Sequence, residues 1–221
     1  LRDTTCREFE IAREIRVIYN FVNCDLYRPE RDENARLALA PGGQPLLAHL
    51  SNFRPVKRVT DVVEVFARVR QEMPARLLLI GDGPERGNAE YLARKHGVEH
   101  DVLFLGKQDN VRRLLPLCEV LLLPSLSESF GLAALEAMAC GAVPVATRVG
   151  GVPEVITDGQ DGFLAEVGDV DAMARHALSL LREPELHGRM ADAARQTALT
   201  RFSSTLIIPQ YESYYRQVLE R

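Results

Sequence analysis

Leu77 to Ile80 and Val120 to Leu123 are apolar runs with no polar residue at alternate positions. A strand with one face in water alternates apolar and polar side chains, so a strand without alternation needs cover on both faces. The same texture recurs in "PLLAHLS", "VLFLG", "VPVATR" and "GFLAEV", and "EIRVIYNF" reads as a further strand near the start. Helical patterns lie between most of these runs. In "RVTDVVEVFARVRQEM", Val59, Val62, Val63, Phe66 and Val69 recur at helical spacing. Pro84, after the glycine turn of "RLLLIGDG", is expected in the first turn of the next helix. From Val170 onward the pattern is helical to the end. This alternation predicts an α/β fold, a doubly wound parallel sheet with right-handed crossovers and a helical C-terminal extension. No second domain is expected within these residues.

Composition narrows the function classes. The 221 residues carry a formal net charge of -4, with 46% hydrophobic and 26% charged residues. That is enough apolar material for one large core. The chain shows no basic block or aromatic-basic stripe, so no nucleic-acid partner is expected. Its apolar runs are too short for a membrane span, and no membrane partner is expected. Cys6, Cys24, Cys118 and Cys140 have no CxxC spacing and no nearby histidine, so free thiols in a reducing cytoplasm are expected rather than disulfides or zinc.

In an open parallel sheet, ligands bind beyond the carboxyl ends of the strands. "EVLLLPS" is such a strand, and the loop that leaves it carries Glu128. A helix is expected to begin at Phe130 or Gly131, with unpaired amides at the positive end of its dipole, a site for an anion such as phosphate. Gly131 permits close approach of a ligand to that backbone. Glu136, about 8 Å along the helix at 1.5 Å per residue, is within reach of a ribose, and Glu128 of sugar hydroxyls. The same spacing also fits two solvated charges.

A second loop bears on that choice. "HLSNFRPVKR" leaves another strand and sets Arg54, Lys57 and Arg58 beside a helix start, as cations for a diphosphate leaving group. Gly81 and Gly83 in "GDGPE", and Gly106 with Lys107 in "FLGK", add backbone edges on the same rim. His49 reads as a hydrogen-bonded strand-end histidine rather than a base, and Arg148 as a surface loop residue.

The two glutamates seven residues apart, the Ser-Phe-Gly-Leu between them and "EAMACGAVPVATRVGGVPEVI" resemble the donor half of retaining, GT-B-fold glycosyltransferases of family 4. The resemblance runs from "VIYNFVNCDLYRP" to the closing helices and implies a Rossmann-like C-terminal half, residues 1–221, that binds a nucleotide sugar. It implies that Glu128 contacts the donor sugar and Glu136 the ribose, while Ser129, Phe130, Gly131 and Leu132 hold the diphosphate through their amides. Many members carry Gly-Arg and, five residues after that arginine, a lysine. Here Lys57 keeps its place, but the arginine position reads Asn52, and Arg54 stands nearby.

"HLSNFRPVKRVTDVVEVF", "GDGPE", "FLGKQDNV" and "LLLPSLSESFGLAALEAMACG" are similar to the members of bacillithiol biosynthesis. Those members transfer N-acetylglucosamine from UDP-N-acetylglucosamine to L-malate. Two other readings stand beside this one: a family member that uses UDP-glucose or GDP-mannose, and a regulatory domain that binds a nucleotide sugar without turnover. The resemblance also implies an N-terminal acceptor domain outside this chain, which would hold malate and leave this half inactive alone. No metal or other cofactor is expected. Tyr211, Tyr214 and Tyr215 on the last helix would leave an apolar face for packing on that half or for a homo-oligomer.

Overall fold

The computed structural model describes residues 2–10, 15–30 and 32–220. Two short helices, α1 (Arg2–Glu8) and α2 (Glu33–Leu39), precede the first strand, β1 (Leu46–Leu50). Then follow α3 (Val59–Glu72), β2 (Arg76–Ile80), α4 (Arg86–Lys95), β3 (Val102–Gly106) and β4 (Val120–Leu123). The second half runs through α5 (Leu132–Ala139), β5 (Val143–Thr147), α6 (Val152–Val155) and β6 (Phe163–Ala165). Three longer helices close the chain: α7 (Val170–Arg182), α8 (Pro184–Arg201) and α9 (Ser204–Leu219).

Among the described residues, six strands form one parallel sheet in the order β3-β2-β1-β4-β5-β6. Its unalternating strands have a direct cause. Leu121 and Leu123 face a layer that includes Leu135, Met138 and Ala198. Val120 and Leu122 face the opposite layer, with Val62, Val63, Phe66 and Ala177. All four strand residues are buried. Each buried aliphatic side chain stabilises the fold by roughly 1.5–3 kcal/mol, so a polar residue on either face would be costly. Strand order reverses between β1 and β4, where two successive crossovers diverge and leave a crevice at the carboxyl ends.

Before the site is reached, the structure differs from the expected elements at two places. "EIRVIYNF" was expected to be a strand; Glu14 lies outside the described residues, and residues 15–21 form none. Val22 instead bridges the turn between α8 and α9: its amide donates to Phe202 O at 2.9 Å, and Ser204 N donates back to Val22 O at 2.9 Å. That pairing, with Tyr19 packed on Phe130 and Phe202, holds the segment against the helical layer rather than in the sheet. Pro84 lies in the turn before α4 rather than inside it. On α9, the Tyr211 hydroxyl reaches Ile18 O at 3.3 Å, while Tyr214 and Tyr215 are exposed. The four cysteines are free, and no helix among the described residues is long and apolar enough to cross a membrane.

His49 lies in the middle of this sheet and is fully buried. Leu122 O lies 2.9 Å from its Nδ1 and can only accept, so Nδ1 carries the proton. Nε2 must then accept, and the Ser51 hydroxyl 2.8 Å away donates to it. Ser51 Oγ in turn accepts from the Phe53 amide at 3.1 Å. Every polar atom of the imidazole is therefore satisfied in the neutral form. Burial pushes its pKa down to about 4, against a smaller upward pull from Leu122 O.

The sign follows from the unfolded chain, where an exposed histidine takes up a proton near pH 6.5. Between about pH 6.5 and 4 the unfolded chain binds that proton and the folded one does not. Stability attributable to His49 is thus complete above pH 6.5 and is lost as pH falls toward 4, by roughly 3 kcal/mol in all. Urea unfolding of the protein and its His49→Gln variant checks this. The gap in unfolding free energy is expected to narrow across that window, and a gap independent of pH would contradict it.

Candidate functional site

The first wall of the crevice is the loop that leaves β1. His49 and Ser51 fix where this loop turns, and the Phe53 backbone takes the left-handed conformation at φ 42. For a bulky residue this is strained by about 1–3 kcal/mol, and it persists only where neighbours over-determine it. Here the Phe53 ring is fully buried and stacks on His49 at 6.0 Å, and its carbonyl accepts from Glu85 N at 3.0 Å. A 3-10 turn, Pro55–Lys57, follows, and Arg58 is again left-handed at φ 49.

These two reversals separate the three cations. Arg54 is exposed and pairs with no carboxylate among the described residues. Lys57 turns inward. Arg58 does not join them: its guanidinium pairs with Asp61 in the first turn of α3 at 2.7 Å, instead of facing the crevice as the sequence suggests.

The second wall is the loop from β4. Ser125 is fully buried, and its hydroxyl donates to Glu128 Oε1 at 2.8 Å. Lys57 Nζ reaches the same oxygen at 2.6 Å. The two loops are also joined through their backbones, Leu126 N to Val56 O at 2.8 Å. Thr147 at the end of β5 donates to Ser125 O at 2.6 Å and so fixes the residue that fixes the glutamate.

Gly131 takes φ 97, which no helix residue can, so α5 opens at Leu132 rather than at Phe130 or Gly131. No side chain caps it, and its first amides lack intrahelical acceptors. Ser129 is exposed beside this opening, whereas the Phe130 ring is buried against Tyr19 and Phe202.

Glycines allow these walls to be thin. At Gly81, a Cβ would lie 1.8 Å from Ser51 O, and at Gly83 2.0 Å from Asn52 O. Both glycines of "GDGPE" therefore press directly on the back of the loop that carries Asn52, Arg54 and Lys57. Gly150 and Gly151 do the same behind the glutamate loop, where a Cβ would lie 1.8 Å from Glu128 O and 2.2 Å from Ser129 O. Gly106 O accepts from Gly81 N at 2.8 Å, which ties the end of β3 to this rim, and Lys107 is exposed beyond it.

Glu136 lies one turn into α5. Burial raises its carboxyl pKa, and a hydrogen bond from the Tyr27 hydroxyl pulls it partly back. Tyr27 itself is pushed up to about 12, first by burial and then by the Glu136 charge and that bond. Arg195 from α8 donates to Tyr27 O at 2.7 Å, to Cys24 O at 3.0 Å and to Ala139 O at 2.6 Å, clamping the Tyr27 turn to α5. Arg148 is exposed and paired with Asp158, as a surface residue.

The structure thus brings Lys57 and Glu128 into contact, and draws Asn52, Gly81, Gly83 and Gly106 into the same packed rim. No direct contact joins Glu136 or Lys107 to that ion pair. Sequence reasoning missed Ser125, Thr147, Tyr27, Gly150 and Gly151 as parts of the site. The two glycines were visible as a pair, but only the fold shows that they back the Glu128 loop. Chemically, this end of the sheet offers an ion pair, an exposed guanidinium and an uncapped helix start, with a second carboxylate, Glu136, one turn into that helix. Such a set suits a ligand with an anionic centre and hydroxyl groups on either side of it.

Residues 30–197 match the family described as glycosyl transferases group 1. Over 208 residues the chain is 45% identical to N-acetyl-alpha-D-glucosaminyl L-malate synthase of Bacillus anthracis, covering 94% of this chain and 55% of that protein. It is 32% identical to the lipopolysaccharide core biosynthesis glycosyltransferase LpsE of Rhizobium meliloti, covering 90% of this chain and 57% of LpsE. The chain thus spans about half the length of the curated relatives it matches.

Among solved structures, sucrose-phosphate synthase from Thermosynechococcus elongatus superposes with a TM-score of 0.89 at 27% identity, covering 99% of this chain and 56% of that one. HepE from Anabaena, in complex with UDP and glucose, superposes at 0.84 with 25% identity, covering 91% and 56% respectively. The sheet order, the crevice at its switch point and these matches lead to one assignment: the chain belongs to the glycosyl transferases group 1 family, with the GT-B fold.

Proposed function

We propose that the chain is the nucleotide-sugar-binding half of a retaining glycosyltransferase that moves N-acetylglucosamine from UDP-N-acetylglucosamine to L-malate, a step of bacillithiol biosynthesis in the cytoplasm. The observation that carries this reading is the Lys57–Glu128 contact beside the uncapped start of α5, at the β1/β4 switch point. The likeness to the malate synthase supports the choice of donor and acceptor.

In this reading the diphosphate lies at the amides of Ser129 to Leu132, with Lys57 and Arg54 opposite it. Asn52, the glycine rim and Lys107 border the donor, Glu136 accepts from the ribose, and Glu128 accepts from the sugar hydroxyls. The reaction is front-face substitution. The bond from the anomeric carbon to the diphosphate oxygen breaks while the malate hydroxyl forms its bond on the same face. The hydroxyl proton passes to the departing diphosphate. Lys57, Arg54 and the helix dipole stabilise the charge that develops there, so no metal is required and no protein nucleophile takes part. An N-terminal half outside these residues holds the acceptor.

UDP is expected to bind and to supply most of the affinity without a divalent ion. At a hundredfold excess over Kd it adds about 2.7 kcal/mol of apparent stability. Thermal unfolding with UDP, with and without EDTA, measures this, and loss of the shift in EDTA would rule out the metal-free reading. A panel of UDP-N-acetylglucosamine, UDP-glucose and GDP-mannose in the same assay identifies the donor.

The two glutamates are expected to separate. Glu136→Ala weakens UDP and the UDP-sugar alike, because both carry the ribose, whereas Glu128→Ala spares UDP and weakens only the sugar-dependent part. Each loss is about 1.5–3 kcal/mol by titration calorimetry. If both variants bind both ligands as the parent does, the carboxylates are plain surface charges.

Turnover is expected to need the acceptor half, since positioning of the two reactants supplies roughly 7–11 kcal/mol of such barriers. The 221 residues alone are expected to bind the donor, show no appreciable affinity for L-malate and form no glycoside. Mass spectrometry of a reaction with both substrates checks this, and glycoside formed by the isolated chain would refute it.

A further inference from the structure

Glu128 is held unevenly. Both of its donors, the Lys57 ammonium at 2.6 Å and the Ser125 hydroxyl at 2.8 Å, land on Oε1. Oε2 accepts from no described residue, although the side chain is only 10% exposed. Nor is Oε2 sealed in the protein: among the described residues, Arg76 Nε is the one fully buried side-chain nitrogen or oxygen without a partner. A carboxylate this enclosed loses much of its hydration, and an open lone-pair site on it has a strong appetite for a donor. The unfilled oxygen therefore keeps access to solvent in the loop that leaves β4.

Lys57 alone could not keep that arrangement. It sits on a flexible side chain, and an anion that enters the crevice competes for its ammonium. Ser125 has no such alternative. It is fully buried, its carbonyl is held by the Thr147 hydroxyl at 2.6 Å, and its own hydroxyl reaches the glutamate.

We infer that Ser125 is a positioning residue: it pins Glu128 Oε1 while Lys57 is drawn to the diphosphate, and so presents Oε2 to a hydroxyl of the donor sugar. This rests on the reading of Glu128 as the sugar-binding carboxylate. It adds a residue that touches no ligand, yet sets the preference for nucleotide sugar over nucleotide. Thr147 acts one step further back, through the Ser125 carbonyl.

The test compares dissociation constants for UDP and UDP-N-acetylglucosamine in the parent, Ser125→Ala, Glu128→Gln and the double variant. The ratio of the two constants reports the sugar contact, and UDP itself reports whether the crevice is intact. Ser125→Ala is expected to leave UDP within about twofold and to lower the preference for the sugar nucleotide about tenfold, the effect of one hydrogen bond to a charged group. In the Glu128→Gln background the same substitution is expected to cost nothing further, because Ser125 acts through the carboxylate. Ser125→Thr, which keeps the hydroxyl, is expected to restore most of the preference.

Several results would overturn the inference. A Ser125→Ala variant that loses UDP and the sugar nucleotide equally has suffered general damage. Costs that add in the double variant mean that Ser125 acts by another route. If Glu128→Gln lowers the preference and Ser125→Ala does not, the role of Glu128 stands and that of Ser125 falls. If Glu128→Gln changes nothing, the reading of Glu128 falls and takes this inference with it.

Discussion

The parallel pairing of β1 with β4 is the contact on which the site depends. It is short: Leu47 lies opposite Val120 and Ala48 opposite Leu121. Beyond those pairs the strands stay together through a side chain, since His49 donates to Leu122 O across the gap. The loops that follow each strand then meet at Leu126 and Val56, and again at Glu128 and Lys57. A neutral, fully satisfied histidine is therefore part of the seam from which both loops leave. Its hydrogen-bond partner Ser51 also anchors the strained backbone at Phe53. A charge on that ring would turn the Ser51 hydroxyl away and set an uncompensated cation in the sheet, a cost that burial makes large.

The crevice walls are built by backbone on backbone. Gly81 and Gly83 support one loop, Gly150 and Gly151 the other, and any side chain at three of these four positions would push within 2.0 Å of a carbonyl oxygen. Support of this kind limits how far either loop can retreat, so a ligand meets surfaces already in place. Preorganisation matters most for groups that must be held at an angle, as the carboxylate of Glu128 is by Ser125 and Lys57.

Much of the fold was legible because burial on two faces leaves a mark in composition: β2 and β4 carry no polar alternation, and the structure buries both faces. The crevice was legible through strand ends, where Glu128 and Lys57 stand. What the sequence hid has two physical causes. "EIRVIYNF" has the texture of a strand, but its partner is the α8–α9 turn, a choice made by tertiary contacts and not by local propensity. Arg58 and Lys57 are adjacent cations that look equivalent; only a left-handed turn at Arg58 sends one to Asp61 and the other to Glu128. Ser125 and Thr147 are ordinary small polar residues in sequence, and their part in the site exists only once β4 and β5 lie side by side.

The unequal settings of Arg54 and Lys57 have an electrostatic consequence. An ammonium matched to a carboxylate at 2.6 Å is close to a dipole, and its field dies away within a few ångströms of the pair. An exposed guanidinium keeps its full charge, which extends to about one Debye length, roughly 8 Å at physiological ionic strength. Under the proposed function, a nucleotide sugar would be drawn in by Arg54 and would meet Lys57 only on arrival. Added salt would weaken the first effect and scarcely touch the second, so on that reading capture of the charged ligand and its retention fall to different residues.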